Sequence, residues 1–189
     1  MTGGFIPVHG GYKNLLSFQK AEIVYDATVQ FCKRFIPKAD RTHDQMIQAA
    51  RSGKQNIIEG SMASGTSKEM EIKLTNVARA SLEELLADYR DFLRVRDIPE
   101  WPKGHTFVVR LRQMNRIPNA TYETFKKGIE HPEPAICANV IIGLIRVTSS
   151  LLDRQIQHLE QAFLKEGGLR ESMTRARLDA RDGGGRNRH

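Results

Sequence analysis

A chain of 189 residues, 40% of them apolar, is long enough to bury one hydrophobic core without metal or disulfide staples. Lysine and arginine outnumber the acids 29 to 22, a formal charge of +7 that suits an anionic partner such as nucleic acid and equally suits plain solubility. The two cysteines, Cys32 and Cys137, stand far apart in apolar surroundings and read as buried free thiols of a reducing cytosol, not as a Cys-x-x-Cys redox or zinc motif.

The opening Met1-Thr2-Gly3-Gly4-Phe5-Ile6-Pro7 has neither the basic nor the apolar region of a secretory signal. The longest apolar run, Val140-Ile141-Ile142-Gly143-Leu144-Ile145, is closed by Arg146, well short of the ~20 residues that cross a bilayer. These features predict a soluble, cytoplasmic protein with no membrane partner.

Along the chain, Asn14 is placed to cap a helix that starts at Leu15 and carries Ala21, Val24, Tyr25, Thr28, Phe31, Cys32 and Phe35 at three- and four-residue steps. Pro37, lacking an amide, ends it. Asp40 or Thr42 caps the second helix, whose inner face reads Met46, Ala49, Ala50, Gly53, Ile57 and Gly60. Each interior glycine costs about 1 kcal/mol relative to alanine, so this face predicts a neighbouring backbone at close approach. Ser64-Gly65-Thr66 breaks the pattern. Ser67 lacks the partner for a full capping box, because Met70 stands three residues on, but its hydroxyl can hold an exposed amide, and Glu69 and Glu71 suit the positive end of the helix dipole.

The third helix, over 68–97, carries Met70, Leu74, Val77, Ala78, Leu82, Leu85, Leu86, Tyr89, Phe92 and Leu93 as a continuous stripe about 45 Å long. Pro99 and Pro102, flanking Trp101, stop it. Two shorter helical candidates, 106–115 and 121–130, are split by Ile117-Pro118-Asn119, so 98–133 reads as an insertion with Trp101 either tucked beneath it, the favoured placement, or making a subunit contact. Pro134 opens the last long helix, with Ile136, Val140, Ile141, Leu144, Val147, Thr148, Leu151, Leu152, Leu159 and Phe163 inward, and Gly167-Gly168 closes it. A bundle domain thus spans 1–168. Beyond it, 169–189 is an Arg-rich extension: a short surface helix over 169–181 resting on Met173 and Leu178, then a stretch over 183–189 that has nothing to bury and is expected to be disordered. Four long helices with one broad apolar stripe each, and no strand pattern, predict an all-α antiparallel up-down-up-down four-helix bundle with a short helical insertion before the last long helix.

Asn56-Ile57-Ile58-Glu59-Gly60, preceded by Gln45, Ala49-Ala50 and Ser52 and followed by Ser67-Lys68-Glu69 and Ala78-Arg79-Ala80-Ser81-Leu82-Glu83-Glu84-Leu85, resembles a known bacterial family. These are the four-helix-bundle proteins encoded in 23S rRNA intervening sequences, a family similar to the accessory bundle protein of diversity-generating retroelements. The resemblance covers 12–92, with the last long helix matching as a generic apolar pattern, and 151–171 looks like the C-terminal extension of some members. It implies a homopentameric ring, a basic surface for nucleic acid, and neither enzymatic activity nor a cofactor. Ile47 and Gln48 stand where two arginines precede the Ala-Ala pair in the family, and Gly53-Lys54 where an Ile-Pro pair is common, so the family's basic residues there do not carry over.

The densest basic segment holds Arg90, Arg94, Arg96, Lys103, Arg110, Arg112 and Arg116 against only Asp91, Asp97 and Glu100. Arg90 and Arg94 share a helix face and can grip successive phosphates, or the segment is a solvated helix end whose cations complement the dipole. Arg170, Arg175, Arg177, Arg181, Arg186 and Arg188 offer further phosphate contacts or a simple solvated terminus, blunted by Glu166, Glu171, Asp179 and Asp182. Neither region shows an aromatic platform for stacking bases. Asn56 and Glu59, three apart, are expected to form a buried polar node that fixes helix register.

Glu83 and Glu84 lack the following histidine of a di-iron motif. His9, His43, His105, His131, His158 and His189 have no second ligand at helical spacing, and no nucleophile-elbow, Walker or dinucleotide fingerprint occurs. No catalytic residue, metal ligand or cofactor follows. The expectation is a non-enzymatic, self-assembling bundle that uses Arg90, Arg94, Arg96, Arg110, Arg112 and Arg116 as phosphate contacts to RNA or DNA. The alternative is a structural adaptor for an unidentified protein partner.

Overall fold

The computed structural model describes residues 10–184, which are all-helical: seven α-helices, one turn of 3-10 helix at Tyr12–Asn14, and no strand among the described residues. The helices are α1 (Leu16–Phe35), α2 (Arg41–Ala63), α3 (Lys68–Arg94), α4 (Thr106–Met114), α5 (Tyr122–Ile129), α6 (Pro134–Glu166) and α7 (Leu169–Gly184). The four long ones close a cycle of contacts, α1 on α2, α2 on α3, α3 on α6 and α6 back on α1, around a single core. The insertion supplies α4, which lies on α6, and α5, which lies over α6 and α1.

The helix starts follow local chemistry. Asp40 Oδ1 accepts the Thr42 amide at 2.9 Å to start α2, and Ser67 Oγ accepts the Met70 amide at 3.1 Å to start α3. Asn14 does not cap α1. It belongs to the preceding 3-10 turn, where its amide bonds Gly11 O and the Leu15 amide bonds Tyr12 O, so Leu15 becomes the entry residue with no side-chain cap. Ile36 is extended, as the residue before a proline prefers, and α1 ends there. α3 stops earlier than its pattern predicts because Asp97 turns into the left-handed region at φ 55° and the Ile98 amide folds back onto Leu93 O at 3.0 Å.

All six inner-face residues of α2 are buried. At Gly60 an added Cβ would come into ordinary contact, at 3.4 Å, with the Glu71 carbonyl oxygen and the Leu74 Cβ of α3, the close backbone expected from the sequence. At Gly53 the occupant is instead the Leu82 side chain. The α3 stripe is narrower than predicted: Met70 and Val77 are exposed, while Thr75 turns inward with its hydroxyl satisfied by Glu71 O at 2.7 Å. The Asn56–Glu59 node does not form either. Glu59 points to solvent, and Asn56 Nδ2 bonds Ser52, whose hydroxyl pairs with Ser81 Oγ of α3 at 3.0 Å. Two short hydroxyls fit the tight α2–α3 contact that a glutamate would force open.

α6 is buried over a wide arc, because α1, α3, α4 and α5 all pack on it. Its mean hydropathy reaches 1.8 in an 18-residue window, so the helix starting at Pro134 is long and apolar enough to cross a membrane by length and composition, which the run-by-run reading of the sequence missed. That window is 61% buried inside the protein, as the central helix of a bundle requires. α7 continues the chain as a helix with Met173 and Leu178 both exposed, and it runs on through Gly183 and Gly184, where the sequence predicts a disordered tail; residues 185–189 lie outside the described residues.

Candidate nucleic-acid interface

Asn139, a buried side chain of α6, organises the entry to the insertion. Its Oδ1 accepts the Trp101 amide at 2.7 Å, and its Nδ2 donates to Pro99 O at 3.2 Å and Ala135 O at 2.9 Å. Proline cannot donate, so the carbonyls and amide around Trp101 need a side-chain partner if this segment is to lie on α6. α4 then seats on α6 through Leu111, its one buried residue, whose terminal methyl occupies the place a Cβ on Gly143 would take.

Trp101 therefore packs beneath the insertion, and it does not pack alone. Its ring stacks with His105 at 4.6 Å and 9° and with Phe107 at 5.2 Å and 24°, and the His105 and Phe107 centroids are 5.7 Å apart. That triangle places both smaller rings against one region of the indole; a sandwich would separate them much further. Phe107 remains 50% exposed. An aromatic platform thus does accompany the basic segment, contrary to the sequence reading, because residues 101, 105 and 107 meet only through the turn that precedes α4.

Between α4 and α6 lies a cleft of about 330 Å³. Trp101, Val108, Leu111, Ile142 and Val147 give it apolar walls, and Asn115, Asn139 and Ser150 add polar groups. Its cations are Lys103, Arg112, Arg146 and Arg154, and among the described residues no carboxylate lines it. Arg146 pairs with Glu100, which also accepts from Arg90 Nε at 3.1 Å, so one acid is held between two guanidiniums. Arg154 Nε bonds only the Ser150 carbonyl. Asn115 Nδ2 donates to Leu111 O at 2.9 Å, which leaves its buried Oδ1 without a partner among the described residues; the buried His105 Nδ1 likewise has none among them.

The six arginines singled out from the sequence divide. Arg90 is tied to Glu100 and Arg94 to Asp91 at 2.9 Å. Arg96 lies 3.8 Å over the Phe92 ring and donates to Phe92 O, closing the end of α3. Arg110, Arg112 and Arg116 are exposed with no ion-pair partner among the described residues. Arg110 and Arg112 project roughly 200° apart around α4, so only Arg112 faces the cleft. Arg146 and Arg154 were missed as candidates. Their signal was the stripe Gly143, Arg146, Ser150 and Arg154 on α6, which breaks the apolar pattern at helical spacing.

The opposite charge collects elsewhere. Arg41, Asp44, Glu84 and Asp88 line a groove between α2 and α3, where burial, then Glu84 and Asp91, push the Asp88 carboxyl above its ordinary range. Cys32 beneath is pushed up to about 12 by burial, which keeps it a thiol. No three histidine, cysteine or acidic side chains converge to hold a metal among the described residues. No family model, curated protein or solved structure matches the chain.

Proposed function

We propose that the chain is a non-enzymatic, self-assembling helical bundle that holds RNA or DNA on its basic α4–α6 face. The observation that carries this reading is the cleft itself: Lys103, Arg112, Arg146 and Arg154 converge from two elements onto a surface with no carboxylate in its lining. Cations scattered for solubility would be interspersed with acids, as they are on the rest of the chain; convergence concentrates positive potential where phosphates would dock. The contacts are to backbone phosphates and give affinity without sequence reading.

The resemblance to the 23S rRNA intervening-sequence proteins belongs to this proposal, and with it the pentameric ring. An up-down-up-down course fits the pairings between helix ends: Ser17 with Gln155 and Arg34 with His131 O link α1 and α6 in opposite directions, Ser52 with Ser81 and Gly60 with Glu71 do so for α2 and α3, and Arg79 with Asp153 and Trp101 with Asn139 for α3 and α6. Met70 and Val77, seven apart on α3, form an exposed apolar stripe available to a second copy.

The second reading is an adaptor for another protein, favoured by Phe107, Val109 and Ile117, which leave the insertion with exposed apolar side chains. Titrating labelled RNA and duplex DNA into the purified protein at low salt separates the two. Saturable binding supports the nucleic-acid reading, and its absence leaves the adaptor. Light scattering on the same sample tests assembly, with a clean monomer removing the ring.

A further inference from the structure

We propose that the α4–α6 cleft receives one unpaired nucleotide of a single strand, and that it prefers a base carrying an exocyclic amino group. The inference rests on the nucleic-acid reading above and assigns its ligand more narrowly.

Size comes first. At about 330 Å³ the cleft is at the lower end of small-ligand sites, room for one base with its sugar and far too little for a duplex. A base held in a stack on both sides cannot enter, so the strand must be unpaired at that position. The walls suit a base rather than an aliphatic ligand. Trp101 offers an aromatic surface on one side of the cleft, and Leu111 and Ile142 close the floor. His105 and Phe107 back the indole on their side of it and hold its plane, as a stacking surface requires. Arg112 and Lys103 from the insertion and Arg154 from α6 border the same cleft, placing positive charge on both sides of a bound nucleotide's phosphates.

Base preference follows from Asn115. Its orientation is set by the Nδ2 bond to Leu111 O, a carbonyl that also accepts the Asn115 backbone amide at 2.9 Å, and this leaves Oδ1 as a buried acceptor with no donor among the described residues. An unmet buried acceptor is costly, and a ligand that brings an N–H to it recovers that cost. Cytosine presents an amino group at the position where uracil presents a carbonyl oxygen, which would face Asn115 Oδ1 lone pair to lone pair.

Trp101 is the only tryptophan in the chain, so its fluorescence reports on this cleft alone. The test titrates oligocytidylate, oligouridylate and a blunt duplex of equal length, following both total binding by anisotropy of the labelled strand and Trp101 emission. The expected result is saturable quenching by the single strands and not by the duplex, with oligocytidylate about tenfold tighter than oligouridylate, the scale of one hydrogen bond made or lost in a site that excludes water. Asn115→Leu abolishes that preference without weakening oligouridylate, and Arg112→Gln weakens both strands alike. Equal affinity for the two strands in the unmodified protein, or binding that leaves Trp101 emission unchanged, overturns the cleft assignment while the basic-surface reading stands. Absence of binding to all three probes overturns both.

Discussion

Arg112 and Arg94 are both exposed arginines of one basic segment, and their surroundings give them different value. Arg94 already has its charge matched by Asp91 at 2.9 Å, whereas Arg112 borders a cleft with no acid in it. Arg112→Gln should weaken RNA binding several-fold and lower the salt slope by about one, while Arg94→Gln should change neither appreciably; parallel anisotropy titrations at several salt concentrations check both. Asp88 presents the converse problem, a carboxylate partly withdrawn from water and then crowded by Glu84 and Asp91. Because the folded carboxyl keeps its proton to higher pH than the ordinary 3.8, the native state binds the extra proton between those two values. Stability therefore falls as pH rises through that window and stays lower at neutrality. Asp88→Asn should raise stability at pH 7 by about 0.2–0.5 kcal/mol, the scale of a like-charge pair four apart on a helix, and the gain should vanish below the window; urea melts at the two pH values measure it. Charge density along the segment pointed to its arginines, and sequence alone could not separate them, because Glu100, Arg146 and Arg154 join the site only through the packing of α4 and the Pro99–Trp101 segment on α6.

At the scale of elements, the α2–α3 contact shows what small residues do. A Cβ at Gly53 would meet Leu82 Cδ2 at 2.9 Å, and Leu82 is wholly buried with no room to withdraw. A Cβ at Gly60 would meet the Glu71 carbonyl and Leu74 Cβ at 3.4 Å, ordinary contact. Gly53→Ala should therefore destabilise by about 1–2 kcal/mol once overpacking outweighs the helical preference for alanine, and Gly60→Ala should be neutral or stabilising by up to about 1 kcal/mol. Chemical denaturation of the two variants decides it, and a Gly53→Ala protein as stable as its parent would mean that α2 and α3 are less tightly apposed than the geometry states. The starts of α2 and α3 and the inner face of α2 were legible because each depends on residues within one or two turns. Asn14 misled because a 3-10 turn competed for the same amides. Met70 and Val77 misled because periodicity reports an apolar face and not whether a neighbour covers it. The stacking of His105 and Phe107 on Trp101 escaped notice for a related reason: the spacing of the three matches no helical or strand period, and a turn brings them together.

Across the described residues, charge is unevenly divided: a groove between α2 and α3 where Asp44, Glu84 and Asp88 outnumber Arg41, and a cleft between α4 and α6 lined by Lys103, Arg112, Arg146 and Arg154. A net charge of +7 says nothing about this division, which arises because the insertion folds back onto α6 and brings its cations beside those of the long helix. The all-helical class was legible from 3.6-residue patterning alone, since no segment competes as a strand. The long core helix was harder to place, as α6 is apolar enough to suit a membrane, and only its burial against four other helices shows what covers it. The central claim is that the basic face binds nucleic acid through phosphates, and the affinity for RNA and duplex DNA measured across a range of salt concentrations tests it most directly. On the proposed reading, Lys103, Arg112 and Arg154, the cleft cations with no ion pair among the described residues, predict a log–log decline of slope about −2 to −3, similar for different sequences; binding to neither nucleic acid at low salt, or affinity indifferent to salt, contradicts that reading.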